Sequence, residues 1–162
     1  MNMRARMYLE AFFSQAEFPG GLSFRKALNQ CSLDGTLESL DRVDSLLDQI
    51  RTKLKPQFNS FLDEAANQNF LYLLGFYVGS VIAKKSGKEV RWLSYQDMLR
   101  EIPDDMQKRM FPECFQTSAT CITAGSFFVP LHSITSRLFD EITTKSVRAS
   151  AEANSMPQPH SL

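Results

Sequence analysis

The feature that most constrains the fold is an uncharged, mostly apolar stretch of fourteen residues, 70–83. A helix that spans a bilayer needs about 17–25 such residues, so a stretch of this length is typical of a helix buried in a protein core. Asn67 is a candidate N-cap, and Lys84 and Lys85 stand where the negative end of a helix dipole favours cations. Gly87 suits the left-handed conformation that often ends a helix. The stretch therefore predicts a buried core helix.

Two glycines, Gly75 and Gly79, lie inside this predicted helix. Each costs about 1 kcal/mol relative to alanine in a helix interior, so the pair indicates a specific use. Four residues make about one turn, and both glycines therefore lie on one face, where they let another element approach closely. The main prediction is a tight internal packing groove. A homodimer seam and a ligand groove are the alternatives.

The clearest helical period follows Thr36, which can cap the helix by accepting a backbone N–H bond. Residues 37–55 repeat apolar side chains at intervals of three and four, and Pro56 ends the pattern. The polar residues, including Asp44 and Asp48, are assigned to the opposite, solvent-facing side. The apolar positions of this helix are Leu40, Val43, Leu47, Ile50 and Leu54.

Weaker helical patterns surround these two segments. Residues 4–18 read as a first helix, with Met7, Ala11 and Phe12 on one side, and residues 23–30 and 57–66 as shorter helical stretches. Pro130 is well placed as the first residue of a last helix that carries apolar side chains through Ile142.

Strand signals begin after Gly87. The pattern turns alternating around Trp92, and residues 118–123 and 126–129 flank Ala124-Gly125 as a hairpin. These elements predict an α+β fold: a helical N-terminal half, a small antiparallel sheet of about three strands and a covering C-terminal helix. The predicted core is Leu40, Val43, Leu47, Ile50, Leu74, Val78, Val81, Trp92 and Leu138.

The length of 162 residues predicts a single globular domain, residues 1–149. Residues 150–162 turn to Ala, Ser, Asn, Pro and Gln without a periodic apolar pattern, which predicts a disordered tail.

The charge balance is neutral, with 18 basic and 18 acidic residues. A nucleic-acid-binding protein normally carries a basic excess, so no nucleic-acid partner is expected. Neutrality also gives little protection against self-association, which favours an oligomer. No signal-peptide pattern and no membrane span are found, so a soluble, cytoplasmic protein is expected.

The cysteines Cys31, Cys114 and Cys121 form an odd set without metal-binding spacing, and they are read as reduced thiols. Cys114, Cys121 and His132 could form a nucleophile–base set or a metal site, but a fourth ligand is missing and His160 lies in the predicted tail. The sequence therefore predicts no catalytic, cofactor-binding or metal-binding residue and no cofactor. The position of any binding site is unknown from the sequence.

A cationic cluster of four residues surrounds the turn at Gly87, and it reads as a solvated helix end more readily than as a site for an anionic partner. The cluster consists of Lys84, Lys85, Lys88 and Arg91.

Phosphate loops, nucleophile elbows and zinc motifs are absent from the sequence, which counts against the common motif-bearing enzymes.

The order of elements over residues 37–142 resembles uncharacterised bacterial families of unknown function. The resemblance is carried by Gly75, Tyr77 and Gly79 in the apolar helix, by Trp92 in a strand, and by Phe128-Val-Pro130 before the last helix. It implies an α+β fold and a bacterial source, and it carries over no catalytic residue.

Two functions are compatible with these observations. The first is a non-enzymatic interaction protein of the bacterial cytoplasm, regulatory or immunity-type, with a protein partner or a second copy of itself. The absence of catalytic motifs, thirteen phenylalanines and the neutral charge favour it. The alternative is a small enzyme or small-molecule binder with a pocket between the apolar helix and the sheet.

Overall fold

The computed structural model describes residues 1–101, 120–123, 126–140 and 146–155. Its helices there are α1 (Asn2–Phe13), α2 (Arg25–Gln30), α3 (Leu37–Leu54), α4 (Phe58–Leu62), α5 (Ala65–Ser86), α6 (Tyr95–Glu101), α7 (Pro130–Phe139) and α8 (Val147–Ser155). Its strands are β1 (Val90–Leu93), β2 (Thr120–Thr123) and β3 (Ser126–Phe128).

Helix α5 is the centre of the fold. Residues 69–79 are buried without interruption, so three turns of the helix are enclosed by the elements that pack on α5, which are α1, α4, β1, α7 and α8. A Cβ atom on Gly75 would lie 3.3 Å from Leu131 Cδ2 of α7, closer than most side-chain contacts. The predicted internal packing groove is therefore confirmed at Gly75. Gly87 ends the helix with a φ of +65°, as predicted, whereas the predicted cap Asn67 lies inside a helix that begins two residues earlier.

Helix α3 forms where its period predicts. Thr36 Oγ1 accepts a hydrogen bond from the backbone N–H of Ser39 at 3.2 Å, which confirms the predicted cap. Pro130 is the first residue of α7, also as predicted. The predicted core positions are all buried: Leu40, Val43, Leu47, Ile50, Leu74, Val78, Val81, Trp92 and Leu138.

The predicted α+β class is wrong, because the structure is mostly helical. The segments expected to form a sheet layer have three or four residues each and pair as a narrow antiparallel ribbon, β1-β2-β3, with Val90 opposite Thr123 and Cys121 opposite Phe128. Strand β1 adds the buried Trp92 and Leu93 to the core, but strands of three or four residues are too short to form a layer of the domain. The core is built by helices instead, since α3 and α5 both pack against α7 and α8.

The predicted tail also needs correction. The boundary at residue 149 falls inside α8, where Val147 and Ala151 are both buried against the body of the domain. Residues 150–155 therefore belong to the folded domain, while residues 156–162 lie outside the described part of the chain. The alanines of this segment gave no apolar period in the sequence, but Ala151 is fully buried and α8 packs against α3 and α5.

No helix within the described residues has both the length and the apolar composition needed to cross a membrane.

Candidate functional site: the outer face of α1

Helix α1 ends earlier than the sequence predicts. Gln15 adopts a left-handed conformation with a φ of +59°. The N–H of Gln15 then bonds the carbonyl of Phe12 at 3.1 Å, and the N–H of Ala16 bonds that of Ala11 at 2.9 Å. These two bonds form a Schellman motif, which closes the helix at Phe13 with Gln15, and not glycine, as the left-handed residue.

The inner face of α1 is held firmly by the central helix. Ala5 and Phe12 are buried, and the Tyr8 hydroxyl donates a hydrogen bond to Asn69 Oδ1 of α5 at 2.6 Å. Asn69 Nδ2 in turn donates to the carbonyls of Pro19 and Gly21 at 2.9 and 2.7 Å. One buried amide thus joins α1, α5 and the loop that follows α1.

The start of α1 is also fixed. Asn2 Oδ1 accepts a hydrogen bond from the backbone N–H of Trp92 in β1 at 2.6 Å. The guanidinium carbon of Arg4 lies 4.2 Å from the centre of the Tyr72 ring, within the range of a cation–π interaction. The helix is therefore attached at both ends and along its inner face.

The outer face of α1 carries a stripe of exposed residues at helical spacing. Met3, Met7 and Phe13 are 76%, 60% and 54% exposed, and they account for three of the four large hydrophobic side chains exposed among the described residues; the fourth is Leu54, at 59%. Between them, Arg6 Nε donates to Glu10 Oε1 at 2.6 Å. We call this set the α1 stripe; it comprises Met3, Arg6, Met7, Glu10 and Phe13.

The exposure of Met7 corrects the sequence prediction, which placed it on the same side as Ala11 and Phe12. Both faces of α1 carry apolar residues, so periodicity alone does not tell which face is buried. The spacing of residues 3, 6, 7, 10 and 13 was the sequence signal for the exposed face, because these positions form a second continuous stripe on the same helix.

A cleft of about 370 Å³ lies beside the end of the α1 stripe. Phe13 and Gln15 form one side, and α2 and the loop after it form the other through Leu28, Asn29, Leu33 and Asp34. The amides of Gln15 and Asn29 bond each other across the cleft, with Asn29 Nδ2 donating to Gln15 Oε1 at 3.2 Å. Hydrogen bonds from Thr36 hold the pKa of the Asp34 carboxyl below its usual value, and Arg42 acts in the same direction.

A second cleft, of about 390 Å³, lies between the C-terminal ends of α3 and α7. Lys55 and Arg51 are on one side, and Leu138 and Phe139 are on the other. Arg51 is engaged within the protein, since its Nη2 donates to Asp48 and its Nη1 to the carbonyl of Arg137 at 3.1 and 3.2 Å. Neither cleft lies between α5 and the strands, where the sequence predicted a pocket.

The buried polar side chains of the described residues hold the fold together. Ser39 bonds the Tyr77 hydroxyl at 2.5 Å, and the N–H of Gly35 donates to the same hydroxyl at 2.8 Å, which joins the loop before α3 to α5. Burial raises the pKa of Tyr77 above its ordinary value. Ser133 and Thr135 of α7 donate to carbonyls of their own helix.

The residues considered for catalysis or metal binding are only partly described. The buried Cys31 is a free thiol whose pKa is raised by burial, and its sulfur lies 3.7 Å from the carbonyl of Arg42. His132 lies on α7, and Cys121 lies in β2. Cys114 and His160 are outside the described residues. Within the described ranges, no group of three or more His, Cys, Asp and Glu side chains is placed to hold a metal ion.

The cationic cluster at the end of α5 is exposed throughout. Arg91 is paired with Glu101 of α6 through two hydrogen bonds, the longer at 2.8 Å. Lys84 and Lys85 occupy the last turn of α5, where cations interact favourably with the helix dipole. The geometry thus fits the interpretation of a solvated helix end.

Comparisons with models of known protein families, with curated proteins and with solved structures find no match for this chain. The resemblance to uncharacterised bacterial families therefore stays a prediction.

Proposed function

We propose that the protein is a non-enzymatic interaction protein of the bacterial cytoplasm, with a regulatory or immunity-type role, and that the α1 stripe is its binding surface. The observation that carries the proposal is the alignment of Met3, Met7 and Phe13 on the outer face of a helix whose inner face is firmly packed. Scattered exposed apolar side chains are ordinary, but three on one helix face are typical of an interaction site.

Burial of this surface would supply binding energy. Fully burying a Met or Phe side chain contributes about 1.5–3 kcal/mol. Methionine adapts its shape to a partner, and phenylalanine offers a large contact area with few rotatable bonds. The rigid attachment of α1 also lowers the entropy cost of binding, because the helix is ordered before the partner arrives.

The use of the interior polar groups supports a non-enzymatic role. Ser39, Asn69 and Tyr77 each bond a neighbouring loop or helix, so their polar atoms are engaged in holding the fold and do not converge on a cleft.

The alternative function, binding of a small molecule, is supported by the cleft between the ends of α3 and α7. Its volume of about 390 Å³ lies in the range of small-ligand sites, and it combines the apolar Phe139 with the cation of Lys55. A thermal-shift screen against small organic acids tests it: a hit whose stabilisation is lost in Lys55→Glu supports this function, and a screen without such a hit argues against it.

Site-specific photo-crosslinking in living cells tests the interaction proposal. A photoreactive phenylalanine analogue replaces Met7 in one variant and Leu54 in the control, since both positions are about equally exposed. We expect a discrete adduct at position 7 and none at position 54. The protein identified in the adduct, or a second copy of this chain, is then purified and its binding measured directly. Met7→Lys should weaken that binding at least about ten-fold without lowering the melting temperature. Equal labelling at both positions, or binding that Met7→Lys leaves unchanged, would contradict the proposal.

A further inference from the structure

We propose that the α1 stripe binds a second copy of this chain, with the two α1 helices antiparallel about a two-fold axis; this inference rests on the proposed function of the stripe. Along the stripe, the residue types alternate as apolar, basic, apolar, acidic and apolar in Met3, Arg6, Met7, Glu10 and Phe13. A two-fold interface uses the same patch on both copies, so the patch must complement itself.

The stripe is self-complementary in one antiparallel register. When the helices cross near residue 8, each residue of one copy lies opposite the residue of the other copy whose number, added to its own, gives 16. Arg6 then faces Glu10 of the second copy, and Met3 faces its Phe13. Both pairings occur twice because of the symmetry. The axis lies near Met7, and the two Met7 side chains come within about 3 Å of each other along the helix direction, given a rise of 1.5 Å per residue.

Repulsion between like charges disfavours the other registers and the parallel orientation of the two helices. A shift of one helical turn in one direction places Arg6 opposite Arg6, and a shift in the other direction places Glu10 opposite Glu10. A parallel pairing in register brings both like-charged pairs together. Like charges in close contact oppose association, so the antiparallel register is selected by repulsion as well as by attraction.

The ends of the paired helices match in shape and polarity. Met3 of one copy would contact the ring of Phe13 of the other, and sulfur–aromatic contacts of this kind are favourable. Phe13 also borders the 370 Å³ cleft, so the flexible Met3 side chain of the second copy has apolar surface to occupy beside it. The zero net charge of the chain adds no overall repulsion between copies.

The expected dimer is weak. Two twelve-residue helices are each about 18 Å long and bury less surface than the about 800 Å² per partner of a standard interface. We therefore expect a monomer–dimer equilibrium in the micromolar range rather than an obligate dimer.

Analytical ultracentrifugation of the purified chain over about a hundred-fold range of concentration tests the proposal through charge-reversal variants. Arg6→Glu places acidic residues opposite Glu10, and Glu10→Arg places basic residues opposite Arg6, so each variant alone should be monomeric. An equimolar mixture of the two should dimerise again, because every cross-copy pair becomes oppositely charged. The double variant Arg6→Glu/Glu10→Arg should also dimerise. Leu54→Lys, an exposed apolar position off the stripe, is the control and should match the wild type.

Three outcomes overturn the inference: a wild-type chain that stays monomeric at the highest concentration, a dimer that Arg6→Glu does not weaken, and single variants that fail to dimerise when mixed. Because these side chains are exposed, each variant should fold, and a thermal melt of each variant checks this.

The photo-crosslinking experiment separates the two proposals. An adduct at position 7 with a different protein, together with a monomeric chain, leaves the proposed function standing and rejects the second copy. The absence of any adduct at position 7 rejects both.

Discussion

Asp44 of α3 accepts a hydrogen bond from the backbone N–H of Val147, the first residue of α8, at 2.9 Å, although the two residues are 103 positions apart in the chain. Its other carboxylate oxygen accepts from the Ser146 hydroxyl at 2.6 Å, and Arg137 lies 3.3 Å from the carboxylate. Asp44 is buried, whereas the sequence period placed it on the solvent side of α3. A carboxylate on one helix thus serves as the N-terminal cap of another.

Replacing Asp44 should detach the start of α8. Asp44→Ala removes the buried acceptor of the Val147 N–H and of the Ser146 O–H, which should cost about 2–4 kcal/mol of unfolding free energy. Urea unfolding measures the change. The control is Asp41→Ala, which removes one exposed partner of Arg148 and should cost less than about 1 kcal/mol. Equal effects of the two substitutions would show that Asp44 does not act as a cap.

Truncation should show that residues 150–155 belong to the domain. A chain that ends at residue 149 loses the buried Ala151 and the Glu152 partner of Arg148. It should therefore melt several degrees below a chain that ends at residue 155, since about 1 kcal/mol shifts the melting temperature by about 2–4 °C in a domain of this size. Identical melting temperatures for the two chains would return the domain boundary to residue 149.

The Tyr77 hydroxyl should make stability fall at alkaline pH. Burial raises the folded-state pKa above the ordinary value of 10.0, so the folded chain holds this proton more tightly than the unfolded chain. The stabilisation is fully present below pH 10 and is lost as the pH rises through the folded-state pKa. Tyr77→Phe should cost about 1–3 kcal/mol at neutral pH, because Ser39 and the N–H of Gly35 lose a partner. It should also remove part of the alkaline loss. Unfolding free energies measured from pH 7 to 11 check both effects, and parallel pH profiles for variant and wild type would contradict the second.

Gly75 should tolerate no large side chain. A Cβ atom there already meets Leu131 at 3.3 Å, so Gly75→Leu must push α5 and α7 apart. Overpacking of this kind typically costs about 1–3 kcal/mol, which denaturant melts can resolve. Lys85→Leu, at an exposed position of the same helix, is the matched control and should change stability by less than about 0.5 kcal/mol. A Gly75→Leu variant as stable as the wild type would mean that the two helices are not in close contact.

Chelation should leave the fold intact. A structural zinc site would contribute on the order of 10 kcal/mol, so its removal would unfold a domain of this size. We expect the same melting temperature with and without EDTA, and well under one equivalent of zinc in the purified protein. A melt that collapses on chelation would instead point to Cys114, Cys121 and His132 as ligands.

Local sequence patterns were sufficient to predict some of the helix ends, because each of these ends depends on about one turn of the chain. The Thr36 cap, the left-handed Gly87 and Pro130 at the start of α7 each depend on bonds within a few residues, and each is found as predicted. The α3 core positions were also predictable, because Leu40, Val43 and Leu47 form a single apolar face opposite a polar one.

Other features were decided only by tertiary structure. Helix α1 has apolar residues on two faces, and tertiary contacts such as that of Tyr8 with Asn69 select the face that is buried and leave Met7 exposed. Asp44 is a polar residue in an amphipathic helix, and it is buried because a segment more than a hundred residues later brings N–H donors to it. The fold class was also decided by tertiary structure. Strand signals near Trp92 are local, whereas the helical core depends on which surfaces of α3, α5, α7 and α8 fit together, and that fit is a property of the whole packed chain.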